Sequence, residues 1–388
     1  MRILFIFAKK RIMIHRFLSE EIDKRLFDGK AIIILGARQV GKTFLLHSKF
    51  DGNPDVLWLE GDNLETQMLF ENFTLPFAKT LLGDKKILII DEAQNILNIG
   101  TKLKIIIDQI KDIQVVATGS SSFDLANKIN EPLTGRKWEY KLFPISFAEM
   151  VAHHGFFEEY RMLEQRLIYG YYPDVVKQTN ENMVEILRGL ATSYLYKDVL
   201  KWENIQKSDR MIKLLQALAF QVGSQVSYTE LGTFCGLDAK TIEKYILLLE
   251  QAFIIFRLNS FSRNQRNELK FSKKIYFYDN GIRNALIASF NPVNLRDDTG
   301  ALWENFLLSE RQKRNHYARF YVNSWFWRTQ TQKEIDYLEE KDGVIYAFEF
   351  KWNKNKKTNA PEDFMKSYPN AVFSTITPEN FYEFTGME

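Results

Sequence analysis

Cysteine and long apolar runs are both scarce in this 388-residue chain. The one cysteine, Cys235, excludes a disulfide framework and a cysteine-rich zinc site, and it fits a reducing cytoplasm. No stretch approaches the ~20 apolar residues that a membrane-spanning helix needs. The first apolar run has only about six residues and precedes the basic run at residues 9–11, the reverse of the order in a secretory signal peptide. We therefore expect no membrane association.

Strong net charge is absent as well. The formal charge of +3 is too small to indicate a nucleic-acid partner by itself. With 45% hydrophobic and 26% charged residues, the composition is that of a folded globular protein and excludes disorder of the whole chain. The length suits two or three domains.

What is present is an alternation of short apolar runs and helical patterns. After an amphipathic helix predicted at residues 14–29, continuous apolar runs separated by helical stretches indicate buried strands of a parallel sheet. The sequence therefore predicts the α/β class for residues 1–150, with strands in "AIIIL" (31–35), "DVLWLEG" (55–61), "KILIID" (86–91), "IQVVATG" (113–119) and "RKWEYKLFPIS" (136–146).

The stretch "GARQVGKT" (36–43) lies between the first strand and a helical segment. It fits the GxxxxGK[ST] phosphate loop, in which glycines let backbone N–H groups point at phosphate oxygens at a helix N-terminus. Lys42 is placed to reach the β- and γ-phosphates, and Thr43 to bind Mg²⁺. The predicted nucleotide-binding residues are Gly36, Gln39, Val40, Gly41, Lys42, Thr43 and Phe44.

Four further residues are candidates for ATP hydrolysis. Asp91 ends an apolar strand and is predicted to hold Mg²⁺, and Glu92 to polarise the attacking water. Thr118 ends another strand and is predicted to sense the γ-phosphate or to hold the attacking water, with Ser120 as the second choice for this role. The alternative is that Thr118 only caps a helix. Arg136 is either an arginine finger, acting in its own chain or in a neighbouring subunit, or a surface ion pair.

These residues resemble an AAA-type ATPase family of bacteria and archaea that joins a P-loop domain to a C-terminal domain of unassigned function. The resemblance also rests on "LTGRKWEYKLFPISFAEM", "YGYYPDVV", "SYLYKDVL" and the final "EIDYL…FEFK". The resemblance implies ATP binding and hydrolysis, a winged-helix module and a nuclease-like fold at the C-terminal end of the chain. We accordingly predict an ATPase domain at 1–150, a helical lid at 151–206, a winged-helix domain at 207–291 and a small α/β domain at 292–388.

A helix–turn–helix pattern spans residues 228–254, with the turn at "GLD" and Asp238 as the cap of the second helix. The stretch 257–274 carries six Lys or Arg residues against one Glu. A basic wing beside a recognition helix favours contact with duplex DNA, whereas docking of a protein is the alternative. The predicted DNA-binding residues are Lys240, Lys244, Arg263, Arg266 and Lys270.

The stretch "EIDYLEEKDGVIYAFEFKWN" (334–353) predicts two strands joined by a turn. Glu304 in a preceding helix, then Asp336, Glu349 and Lys351, follow the order of the PD-(D/E)XK nuclease core, which they resemble. The three acids would bind Mg²⁺ and Lys351 would act on water. An ordinary half-buried hairpin shows the same alternation and remains the alternative.

The leading prediction is a cytoplasmic ATPase that uses ATP and Mg²⁺ and reorients its appended domains with nucleotide state. An ATP-gated DNA nuclease and a nucleotide-dependent protein-interaction switch are the alternatives. DNA-stimulated ATP turnover would favour the nuclease, and turnover that DNA leaves unchanged would favour the switch.

Overall fold

A parallel sheet of five strands forms the N-terminal part of the chain, in the order β2-β3-β4-β1-β5. A computed structural model describes residues 13–120, 129, 131–178, 180–194, 208–261, 273–329, 331–356 and 358–387. The predicted α/β sheet is confirmed, because all five apolar runs contain strands. Their bounds are β1 Ala31–Leu35, β2 Val56–Glu60, β3 Ile87–Asp91, β4 Gln114–Gly119 and β5 Lys137–Lys141.

Helices cover this sheet and bury its apolar residues. They are α1 Leu18–Asp23, α2 Lys42–Phe50, α3 Leu64–Glu71, α4 Leu75–Leu82 and α5 Ile99–Gln109, with a 3₁₀ turn at Ala93–Asn95.

Two predicted elements in this part are shorter than the sequence pattern suggested. The helix predicted at 14–29 is confined to α1, because Phe27 adopts φ 60° and donates its N–H to the side chain of Gln114 (2.6 Å). The strand predicted at 136–146 ends at Lys141, shortly before Pro144, which cannot donate to a sheet ladder.

The middle of the chain is mainly helical. Its first elements are α6 Phe147–His154, α7 Phe156–Arg161, α8 Leu163–Tyr169, α9 Pro173–Val176, α10 Asn180–Gly189 and a π-helical turn Leu190–Tyr194. Then follow α11 Ser208–Phe220, β6 Gln225–Val226, α12 Tyr228–Cys235, α13 Ala239–Gln251, β7 Ile255–Ser260, β8 Lys273–Phe277, α14 Asn280–Leu286 and a 3₁₀ turn Val293–Leu295.

The two helices of the predicted helix–turn–helix, α12 and α13, pack as the pattern indicated. Their core residues Leu231, Cys235, Ile242, Ile246 and Leu249 are all buried. The Asp238 carboxylate accepts the N–H of Thr241 (2.9 Å), so this residue caps α13 as predicted.

The last part continues the sheet of the middle part. It contributes α15 Thr299–Tyr317, β9 Asn323–Arg328, β10 Glu334–Lys341, β11 Val344–Phe350, α16 Glu362–Ser367, β12 Val372–Ile376 and α17 Phe381–Thr385. All strands after β5 join one seven-stranded sheet, in the order β12-β11-β10-β9-β7-β8-β6. Strands β7 and β9 pair in parallel, so the boundary predicted near 292 divides strands of a single sheet.

No helix in the described part of the chain combines the length and the apolar character required to cross a bilayer.

Candidate functional site

The phosphate loop connects β1 to α2 at the carboxyl edge of the first sheet. A Cβ at Gly36 would lie 2.2 Å from the Leu142 carbonyl oxygen, and Gly41 adopts φ 96°, so both positions require glycine. Lys42 is buried, and its ammonium donates to the carbonyls of Gly36 (2.9 Å) and Ala37 (3.0 Å). The loop therefore holds its lysine in place through its own backbone.

The predicted acid pair lies directly beside this loop. Strands β3, β4 and β1 are neighbours, so the side chains at their carboxyl ends meet at one edge. The Thr43 hydroxyl donates to Asp91 Oδ2 (2.6 Å), and the Thr118 hydroxyl donates to Asp91 Oδ1. Lys42 Nζ lies 3.9 Å from Glu92 Oε1. One connected network thus joins the loop to both acids.

Thr118 acts from behind this network. Its side chain is fully buried, and its hydroxyl also accepts the N–H of Glu92 (3.0 Å). Glu92 adopts a left-handed backbone (φ 49°), and the side-chain amide of Gln94 donates to its carboxylate and to the Ser120 hydroxyl. Thr118 therefore contacts the carboxylate of Asp91 and the backbone of Glu92, and its predicted contact with phosphate or water stays a prediction.

A cavity of about 590 Å³ opens over the loop. Five of the predicted nucleotide-binding residues line it, together with Glu92, whereas Gly36 and Val40 are buried; the five are Gln39, Gly41, Lys42, Thr43 and Phe44. The opposite wall contains residues without a predicted role, namely Ile14, Arg16, Ile145, Pro173, Asp174 and Lys177. In the sequence, the stretch "YGYYPDVV" contributed only to the family resemblance. In the structure, its Pro173 begins α9 and lines the cavity.

Arg136 lies at the wrong edge of the sheet to be an arginine finger for its own chain. Its carbonyl accepts the N–H of Ala31 (2.9 Å), at the start of β1, whereas the phosphate loop follows the end of β1. Five residues of strand separate the two edges, roughly 16 Å at 3.3 Å per residue. Its guanidinium pairs with Asp108 (2.6 Å), which fits the surface ion pair. A finger supplied to a neighbouring subunit stays a prediction.

The predicted C-terminal acids converge on the second sheet. Antiparallel pairing sets Tyr337 opposite Phe348, so Asp336 and Glu349, the next pair, share one face. Asp336 Oδ2 accepts the N–H of Phe350 (2.7 Å), and Lys351 Nζ donates to Glu349 Oε1 (2.6 Å). Burial, followed by the charges of Glu304 and Glu349, raises the pKa of Asp336 well above its usual value.

A lysine that the sequence pattern did not single out enters this cluster. Lys274 of β8 is buried, and its ammonium pairs with Glu304 (3.2 Å) and with Glu334. Tyr276 also donates its hydroxyl to Glu304. The predicted set of three carboxylates is not arranged as metal ligands: nowhere in the described residues do three or more His, Cys, Asp or Glu side chains form such a group. Glu304 instead forms an ion pair with the ammonium of Lys274.

The predicted DNA-binding residues are only partly described. Lys240 and Lys244 are exposed on α13, and between them Glu243 lies 3.8 Å from Lys273 of β8. Arg263, Arg266 and Lys270 lie outside the described residues.

Three family models match successive parts of this chain. An AAA domain matches residues 28–151, a domain of unknown function (DUF8612) matches 160–293, and a second one (DUF4143) matches 299–382.

The chain is similar to curated proteins and to a solved structure. An uncharacterized protein of Methanocaldococcus jannaschii is 24% identical over 408 residues, with 97% of this chain and 88% of that protein covered. One of Mycobacterium tuberculosis is 24% identical over 339 residues, with 86% and 73% covered. The Walker-type ATPase of Pyrococcus abyssi superposes with a TM-score of 0.51 at 15% identity, covering 71% of this chain and 96% of that one.

The segment matched by the AAA domain contains the phosphate loop, both acids and the complete five-stranded sheet. The similarity to the Pyrococcus abyssi structure supports the same fold. The N-terminal part of the chain therefore matches an AAA domain and has the fold of a P-loop ATPase.

Proposed function

We propose that this protein binds ATP with Mg²⁺ and hydrolyses it, and that the nucleotide state acts on the domains that follow. The observation that carries the proposal is the network of Lys42, Thr43, Asp91, Thr118 and Glu92, of which Lys42, Thr43 and Glu92 line one cavity. The hydroxyl of Thr43 and the carboxylate of Asp91 are oxygen donors of the kind that Mg²⁺ prefers, so this pair fits the metal.

Each residue then has a defined task. Lys42 binds the β- and γ-phosphates with its ammonium, and the backbone N–H groups of the loop orient them. Thr43 and Asp91 would hold Mg²⁺, which neutralises phosphate charge when it is bound. Glu92 Oε accepts a proton from the attacking water. The hydroxyl of Thr118 holds the carboxylate of Asp91 and the backbone N–H of Glu92.

Two substitutions separate binding from hydrolysis. Lys42→Ala removes a charge-assisted contact, so ATP affinity falls about 10- to 100-fold. Glu92→Gln keeps the shape of the side chain but cannot accept the proton, so kcat falls about 10²- to 10⁴-fold while ATP still binds. Equilibrium ATP binding and steady-state turnover measure both effects.

Matched controls use exposed residues of the same domain. Lys104→Ala on α5 and Glu65→Gln on α3 remove the same groups away from the cavity and leave both constants unchanged. Wild-type turnover by Glu92→Gln would show that another residue is the base. Undiminished ATP affinity of Lys42→Ala would contradict nucleotide binding at this loop.

The elements α11 to β8 support a winged-helix module for the middle part. Helices α11, α12 and α13 precede the β7–β8 pair, and β6 pairs with β8, as the wing of such a module requires. Duplex DNA is the proposed partner, through Lys240, Lys244 and the basic stretch Arg263, Arg266 and Lys270. The triple substitution of this stretch to Ala should weaken DNA binding and flatten its salt dependence. An unchanged salt slope would favour a protein partner.

Metal-dependent cleavage at the C-terminal acids is a second candidate function. The convergence of Asp336 and Glu349 beside Lys351 favours it, whereas the pairing of Lys274 with Glu304 and Glu334 opposes it. An assay for nicking of plasmid DNA in the presence of Mn²⁺ tests whether the C-terminal acids cleave DNA. Cleavage that the wild type shows and Asp336→Ala lacks supports a nuclease, and a wild type that leaves the DNA intact refutes it.

A further inference from the structure

Residues 141–147, here called the docking segment, run from the end of β5 to the start of α6 and lie against α15. Their backbone forms a hydrogen bond to an α15 side chain at every second residue. The N–H groups of Lys141, Phe143 and Phe147 donate to His316 Nε2 (2.8 Å), the Tyr317 hydroxyl (3.2 Å) and Glu310 Oε2 (2.8 Å), and Lys313 Nζ donates to the carbonyl of Ile145 (3.1 Å).

The charged side chains that form this attachment are buried, and their opposite charges are paired. Glu310 and Lys313 are 3% and 1% exposed, and they pair with each other at 2.7 Å. A buried charge that lost its partner would destabilise the fold strongly. The docking segment and α15 therefore move together or not at all.

The docking segment also contacts the phosphate loop. Lys141 is level with Leu35 in the sheet, immediately before the loop begins. The carbonyl of Leu142 is so close to Gly36 that a Cβ there would clash with it at 2.2 Å. A displacement of the loop is therefore transmitted to the docking segment.

Arg16 joins all three elements through one side chain. Its buried guanidinium donates to the carbonyl of Val40 in the phosphate loop (2.8 Å) and to the carbonyl of Phe143 in the docking segment (2.6 Å). It also donates to Glu149 Oε1 (3.1 Å) and to the Tyr317 hydroxyl of α15 (3.4 Å). The backbone of Phe143 is thus held by Arg16 at its carbonyl and by Tyr317 at its N–H.

Helix α15 reaches the second sheet from this point. Glu304, near its start, lies in the acidic cluster with Lys274 and Tyr276. From Glu304 to Tyr317 the helix extends roughly 20 Å at 1.5 Å per residue. One helix therefore contacts Arg16 and the docking segment at one end and carries Glu304 of the acidic cluster at the other.

We propose that Arg16 is a positioning residue of the phosphate loop and that, with Tyr317, it couples nucleotide binding to α15 and the second sheet. The proposal rests on the proposed nucleotide binding. It assigns a role to "KLFPISF", the stretch that forms the docking segment: its backbone attaches the C-terminal helix to the ATPase domain.

The first experiment measures amide hydrogen exchange of the docking segment and α15, with and without a non-hydrolysable ATP analogue. In the wild type, the analogue slows exchange in both. In Tyr317→Phe, which removes only the hydroxyl, the analogue still binds but slows exchange in α15 less than in the wild type, because three of the four hydrogen bonds remain. The control Tyr321→Phe, at a side chain exposed beyond the end of α15, behaves as the wild type.

The second experiment measures affinity for the analogue in Arg16→Lys, Tyr317→Phe and the double variant. Lysine keeps the charge but cannot reach all of the acceptors, so Arg16→Lys weakens binding about 3- to 10-fold. Because both residues hold the backbone of Phe143 and also contact each other, the double variant is weakened less than the product of the single effects. A residue with only a structural role would give additive effects on binding.

The outcomes separate this inference from the proposed function. If the analogue binds the wild type but leaves exchange in α15 unchanged, or if the two substitutions are additive, the coupling is refuted while ATP binding stands. If the analogue does not bind the wild type, the proposed function is refuted and the coupling with it.

Discussion

The interface between α15 and the docking segment is expected to fail in acid because of His316. Burial, then the neighbouring charges of Lys141 and Arg319, lowers the pKa of His316 to about 3. The neutral ring is required, because its Nε2 accepts the N–H of Lys141 at 2.8 Å. An unfolded chain has a histidine pKa near ~6.5, so below that pH the unfolded state binds a proton that the folded state excludes.

The sign and size of the effect follow from this difference. The stabilisation from a neutral His316 is fully present above pH ~6.5 and is lost progressively as the pH falls toward about 3. At pH ~4.5 the loss amounts to about 2–3 kcal/mol in the free energy of unfolding. That is a large fraction of the ~5–15 kcal/mol that stabilises a typical native protein.

Urea unfolding near neutral pH and near pH ~4.5 measures this loss. In His316→Gln the amide oxygen can accept the same N–H but does not titrate, so the variant loses about 2–3 kcal/mol less than the wild type between the two conditions. His153→Gln removes an exposed imidazole and is the control for the substitution itself. Equal pH dependence of the wild type and His316→Gln would refute the reasoning.

Three further predictions concern single side chains. Thr118→Val removes the hydroxyl that orients the carboxylate at the end of β3, so kcat for ATP should fall about tenfold in a steady-state assay. Asp238→Ala removes the cap of α13 and should cost about 1 kcal/mol in urea unfolding, most of which Asp238→Asn restores. Gly170→Ala places a Cβ 2.1 Å from Asp279 Oδ1 and should lower the midpoint of thermal unfolding far more than Gly135→Ala, where φ is also positive but the space is open.

The phosphate loop and the acid at the end of β3 could be predicted because their signal is local. A glycine-rich turn between a buried strand and a helix specifies both its backbone and its ligand within eight residues, 36–43. The end of β3 meets this loop because strands of a parallel sheet share one carboxyl edge.

Other parts of the site depend on contacts that are distant in sequence. Arg16 bonds to Val40, Phe143 and Glu149, which lie 24, 127 and 133 positions further along the chain. No spacing rule selects Arg16 among the basic residues of the helix predicted at residues 14–29. Lys274 likewise looked like one more cation of a basic wing, and only the packing of α15 against β8 brings it to Glu304.

Among the alternatives for Arg136, a finger for its own chain is disfavoured by strand direction rather than by residue type, whereas the surface ion pair is present. An arginine that follows a glycine and precedes a strand has the right chemistry for a finger. Only the parallel pairing of β5 with β1 shows that it precedes the strand at the edge away from the phosphates.

The parallel pairing of β7 with β9 has a consequence for synthesis of the chain. The ribosome releases β6, β7 and β8 before the residues of β9, so the nascent chain carries β7 with one edge open until Asn323–Arg328 has emerged. An open edge strand is a site of mispairing between chains. We expect a polypeptide that stops near residue 292 to aggregate or to require a chaperone, and we expect a gene split at that point to yield soluble product only when both halves are made together.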